Sequence, residues 1–166
     1  LSFVGGALLA GTQSNAKKVL AYSTISNLGL VVACAGIDSP LAYAAGLAII
    51  TFHAISKGLL FLCVGRIEQK IGSRDIEDMD GLFGRMPRLA AFMMIGISAM
   101  FLAPFGMLIA KWASMTAFAD SGNILLVGVI CFGSAATAFY WTKWLAKLLC
   151  YHIPRETVKD VTCRDE

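Results

Sequence analysis

The sequence predicts an all-α protein, a polytopic bundle of transmembrane helices. Three observations lead there. Of the 166 residues, 57% are hydrophobic and only 15% charged, and the mean hydropathy is +0.70, a balance typical of membrane proteins. Four long apolar runs, residues 19–37, 41–65, 89–110 and 121–142, each reach the roughly 18–20 residues that a helix needs to cross a ~30 Å hydrocarbon core. None alternates strictly between apolar and polar residues, which disfavours a transmembrane β-barrel.

Residues 1–10, LSFVGGALLA, are too short to span and lack the basic start of a signal peptide. They are expected to be the tail of a helix, and the chain part of a larger polytopic protein. After a connection at 11–18 carrying Lys17 and Lys18, the first full span covers about 19–37. Its residues Tyr22, Ser23, Ser26 and Asn27 are spaced i, i+1, i+4 and i+5, hence on one helical face. Ser side chains commonly bond back to their own helix; the Asn27 amide is harder to satisfy that way. Asn27, Ser26 and Tyr22 are therefore candidate lining residues of a polar path.

The second span, 41–65, reads LAYAAGLAIITFHAISKGLLFLCVG. His53 and Lys57 stand four residues apart, again on one face, with Ser56 between them and eight apolar or small residues after Lys57. An ammonium near the centre of a span costs roughly 2.5–3.5 kcal/mol on insertion scales. Lysine and histidine are also the cationic side chains that exchange protons readily once their surroundings are tuned. Ionisable groups at such depth mark proton or ion pathways; the competing explanation is a pair satisfied by backbone carbonyls within the bundle.

Residues 66–88 are expected to be a polar loop, ending in RDIEDMDGLFGRMP with Asp75, Glu77, Asp78 and Asp80 among arginines. The next stretch, 89–119, has 31 residues and is too long for one untilted crossing. Pro104 removes a backbone donor and Gly106 loosens the chain, so one discontinuous helix broken near residues 103–106 is expected. Broken helices at membrane depth occur where they are buried in protein or line a polar cavity. Lys111 lies about two turns past that break. It is either a third member of the path or a lysine extending from a helix end toward the interface. The last span runs to about 147, making 1–150 the membrane bundle, and 151–166 form a tail.

If the helices alternate in direction, Lys57 and Lys111 are the two exceptions among 14 Lys and Arg residues; the other twelve share one side. The positive-inside rule makes that side, with loops 11–18 and 66–88 and the tail, cytoplasmic, placing the chain as a multi-pass protein of the cell membrane. The five cysteines lack paired spacing, so neither zinc nor iron–sulfur ligation is expected. No phosphate loop or dinucleotide fingerprint occurs. No cofactor or metal site is therefore expected in this chain, and the net charge of +3 follows from topology rather than nucleic-acid binding.

Four ordered segments, KKVLAYSTISNLG, FHAISKGLLFLCVG, RDIEDMDGLFGRMP and APFGMLIAKW, carry a resemblance over about residues 8–150. Together they resemble the C-terminal half of the antiporter-like subunits of complex I, Mrp antiporters and membrane-bound hydrogenases. The form LAPFGMLIAKW, with one proline, is most similar to the large membrane subunit of Ech-type energy-converting hydrogenases. The resemblance implies a fold of fourteen helices in inverted repeats, of which this is a later part. It also implies that His53 and Lys57 belong to a hydrophilic axis and that Lys111 is a terminal proton-handling position. Asn27 stands where some members carry histidine. The expected function is proton or Na⁺ translocation as a membrane subunit of a redox-driven complex, with redox centres on partner subunits. An Mrp-type antiporter subunit without redox partners and a non-translocating scaffold bundle are the alternatives.

Overall fold

A computed structural model describes residues 1–79, 81–101 and 106–149. Among them the regular structure is helical: α1 (Ser2–Thr12), α2 (Ala16–Ala35), α3 (Pro40–Ile71), a 3-10 turn at Ile76–Met79, a short α4 (Leu82–Arg85), α5 (Pro87–Phe101), α6 (Gly106–Asp120) and α7 (Ile124–Leu149). Four stretches are long and apolar enough to cross a membrane, with α5 and α6 counted as one. At 1.5 Å per residue, α5 and α6 are each about 22 Å long, so neither crosses a bilayer alone. The break expected between them at Pro104 lies outside the described residues. Gly106, expected at that break, is the first residue of α6.

Local chemistry sets several helix ends. Asn15 caps α2, its side-chain oxygen accepting from the backbone N–H of Lys17 and Lys18 at 3.1 and 3.3 Å, which satisfies donors with no intrahelical partner. Pro40 opens α3, where its missing N–H is no loss. The same helix stops at Gly72, whose φ of 79° is the left-handed conformation that glycine adopts most easily. Residues 66–88 are thus not a loop throughout. Arg66, Glu68, Gln69 and Lys70 are good helix formers and prolong α3 to Ile71, and Pro87 already begins α5.

The helices close a ring. α1 packs on α2 and α7, α2 on α3, α3 on both α5 and α6, and these two on α7. The exterior is apolar, with Val32, Leu62, Ile109 and Phe139 exposed, as suits a protein whose solvent is lipid. α1 and α2 meet at backbone contact: a Cβ on Gly29 would lie 2.8 Å from the Phe3 nitrogen, and one on Gly6 would lie 2.9 Å from the Ser26 nitrogen. A Cβ on Gly128 would meet nothing within 4 Å among the described residues.

The interior divides into two apolar clusters. One gathers Leu20, Leu60, Ile67, Met93, Trp141 and Trp144 with their neighbours; the other gathers Phe3, Leu30, Ile49, Met107 and Phe118. Between them on α2 lie Ser23, Ser26 and Asn27, on α3 His53, Ser56 and Lys57, and on α7 Thr137, all buried; α6 adds buried Lys111 and Ser114. The first cluster lies toward the end where basic residues collect. There Ala16 donates its N–H to the Arg74 carbonyl at 2.9 Å and Ile76 to that of Ser14, tying the 11–15 connection to the segment after α3.

Candidate functional site

Lys57 is the centre of the polar band. It is 5% exposed, and burial at that depth requires partners for its three N–H groups. They come from α2 and α7. Its Nζ donates to the Leu20 carbonyl at 2.8 Å and to Ser23 Oγ, and it stands 5.1 Å from the centre of the Trp141 ring. Among the described residues no carboxylate lies within ion-pair distance of it; the ion pairs found there involve Lys17, Glu68 and Arg74. The charge is thus held by a dipole, a hydroxyl and a π face, all uncharged.

His53 lies one turn earlier on the same buried face. Its Nε2 is 3.4 Å from Thr24 Oγ1, and its Nδ1 is buried without a partner among the described residues. Lys111 reaches the band from α6, which packs directly on α3, and is 7% exposed. The imidazole lies within electrostatic range of both ammonium groups. The three residues singled out by sequence are therefore brought into one electrostatic neighbourhood by two facing helices.

The lining candidates divide. Asn27 is buried; its amide donates to the Ser23 carbonyl at 2.8 Å, while its Oδ1 has no partner among the described residues. Ser26 is fully buried, but its hydroxyl donates to the Phe3 carbonyl at 2.6 Å, joining α2 to α1. Tyr22 is half-buried and Ser56 buried within α3. Residues that the sequence did not single out complete the site. Ser23 contacts Lys57, Thr24 contacts His53, and Trp141 covers the ammonium. Ser23 stood on the same helical face as Asn27 and was the one signal available.

The Leu20 carbonyl is oversubscribed. It accepts from Ser23 Oγ and Thr24 Oγ1, each at 2.9 Å, as well as from Lys57. A carbonyl oxygen has two lone pairs, so these donors compete, and either hydroxyl can rotate to another acceptor. Ser23 sits where it can accept from a charged Lys57 and donate to a neutral one. The arrangement thus has a partner ready for both protonation states of Lys57. It also links Lys57 and His53 through two hydroxyls sharing one acceptor.

Comparison with known proteins identifies the family and the membrane fold. Residues 1–137 match the family model described as NADH:quinone oxidoreductase/Mrp antiporter, transmembrane. The A/B component of a probable K(+)/H(+) antiporter from Rhizobium meliloti (strain 1021) is 43% identical over 57% of this chain and 10% of its own length. NADH-ubiquinone oxidoreductase chain 5 of Balaenoptera physalus is 35% identical over 83% of this chain and 20% of its own. Among solved structures, the Mrp complex from Dietzia sp. DQ12-45-1b superposes with a TM-score of 0.85 at 24% identity, over 92% of this chain and 29% of that one. The membrane-bound sulfane sulfur reductase, an archaeal respiratory membrane complex, gives 0.82 at 28% identity, over 94% and 33%. The chain spans a third or less of the length of these relatives. It belongs to the antiporter-like membrane subunits of the NADH:quinone oxidoreductase and Mrp antiporter family.

Proposed function

We propose that this chain is part of a subunit that moves protons, or Na⁺, across the cell membrane within a redox-driven complex of the energy-converting hydrogenase or complex I kind. The observation that carries the proposal is Lys57: a mid-span ammonium held, among the described residues, by neutral groups alone, with His53 one turn away and Lys111 on the facing helix. A cation locked to a carboxylate would be a strut; one held by a carbonyl, a hydroxyl and a ring can release its proton with little rearrangement. Because His53 lies near both lysines, a charge change at one alters the others' preference, as coupled titration requires. Electron transfer is assigned to partner subunits, no cofactor or metal to this chain, and the basic end to the cytoplasmic side.

The redox reading draws support from the likeness to NADH-ubiquinone oxidoreductase chain 5 and to a respiratory membrane complex. A second reading, a cation/proton antiporter subunit without redox partners, draws on the K(+)/H(+) antiporter relative and the Mrp complex. One preparation separates them. In vesicles holding the intact complex, the redox reading expects proton uptake that requires an electron donor. The antiporter reading expects uptake driven by an imposed Na⁺ or K⁺ gradient alone. Under either, Lys57→Ala should reduce translocation to background while the complex still assembles. Full translocation by the assembled variant would leave a scaffold role as the remaining explanation.

A further inference from the structure

The aromatic run on α7 is unexplained by the path as described. Tyr140, Trp141 and Trp144 are all buried, at 3, 0 and 1% exposure, well inside the bundle rather than in a lipid-facing interfacial belt. Trp141 and Trp144 stack with ring centres 5.6 Å apart and planes 5° from parallel, while Tyr140 tilts against Trp141 at 5.3 Å. The stack holds Trp141 in one orientation, and that orientation faces Lys57. The same ammonium donates to the Leu20 carbonyl and to Ser23 Oγ on α2, and the Tyr140 hydroxyl is buried without a hydrogen-bond partner among the described residues.

We infer that Trp141 is a positioning residue for Lys57: its ring face, clamped by Trp144, completes a three-sided seat that holds the charged side chain in register with Ser23. The inference rests on the translocation reading above and deepens it. A ring face attracts an ammonium through its quadrupole, most strongly for tryptophan and where water is absent. It offers no lone pair for a strong hydrogen bond and no negative charge, so it steadies the cation without fixing the proton. Trp141 is thus suited to a lysine that must be both held and discharged. Of the titratable groups nearby, His53 stands one turn from Lys57 on α3, Lys111 comes from α6 within electrostatic range of His53, and Tyr140 packs against Trp141 on α7. Ser23 of α2 accepts from the ammonium. The test must therefore isolate the ring's electronic contribution.

Fluorination does that, because each fluorine weakens the ring quadrupole with little change in size. Mono-, di- and trifluorotryptophan are introduced at position 141 in the full-length subunit within its intact complex, and at Trp112, exposed on the outer face of α6, as the control. Translocation should fall stepwise at position 141, by about tenfold across the series, and stay unchanged at position 112. In the purified complex, the fluorine NMR resonance at position 141 should move with pH, and that movement should disappear in Lys57→Met. A flat response at position 141, or a resonance whose pH dependence survives Lys57→Met, overturns the inference. Should Lys57→Met still translocate, the translocation reading fails by itself, and the resonance still decides whether Trp141 senses the lysine.

Discussion

Helices α2 and α3 are joined by two lysines, and the two are handled in opposite ways. At the basic end Lys17 of α2 meets Glu68 of α3 at 2.5 Å, with Arg74 on the same carboxylate; these side chains are 41, 21 and 59% exposed. About three turns along, Lys57 of α3 crosses to α2 and meets a carbonyl and a hydroxyl, with an indole behind it. The exposed cation has a full counter-charge, where water would serve nearly as well. The buried cation, whose desolvation is far more costly, has none among the described residues. The difference separates two tasks: a charge that stays charged can be given a carboxylate, whereas one that must come and go is better held by dipoles, which favour the cation without fixing it.

The strongest way to break this contrast is to make the second site resemble the first. Ser23→Asp would place a carboxylate against Lys57 Nζ. An opposite charge within ~4–6 Å holds a proton more tightly by one to three orders of magnitude. Translocation is expected to fall about a hundredfold with the complex still assembled, measured as ion uptake per turnover in vesicles. Unchanged uptake would show that discharge of Lys57 is not a step in the transfer.

A smaller effect is expected at Lys111, which shares the electrostatic neighbourhood of His53 but shows no ion pair among the described residues. If its role is to gain and lose a proton, another titrating group should replace it in part. Lys111→Glu should retain several-fold more translocation than Lys111→Leu, each compared with the parent at matched assembly. Equal loss in both would mean that the positive charge itself, or the shape of the side chain, is what the band needs.

Sequence made the cations of the band visible and left their partners hidden, for a physical reason. A lysine inside an apolar run is conspicuous along the chain, so Lys57 and His53 could be singled out from spacing alone. What receives the ammonium is a backbone carbonyl 37 residues away and an indole on another helix, and both depend on how the ring of helices closes. Ser26 shows the converse. Its position on the polar face suggested a lining role, yet the close approach of α1 gives its hydroxyl the Phe3 carbonyl. The spans were readable because lipid demands long apolar runs. The 66–88 connection was less so, since polar residues such as Glu68 and Lys70 serve equally in a loop and in a helix that projects past the apolar layer.

The smallest effect belongs to the exposed pair, and it completes the contrast. Glu68→Gln removes the carboxylate shared by Lys17 and Arg74 but leaves the backbone tie of Ala16 to Arg74 in place. Both cations remain accessible to water, which takes over the lost partner at little cost. Translocation should therefore change less than twofold, and the melting temperature of the purified complex should stay within measurement error at moderate salt. At low salt, where exposed charges are less screened, a slight destabilisation should emerge and vanish again as salt is added. A large, salt-independent loss would mean that Glu68 acts on the path rather than on the outer junction of α2 and α3. The two lysines would then belong to one electrostatic system reaching from the basic end to the middle of the bundle.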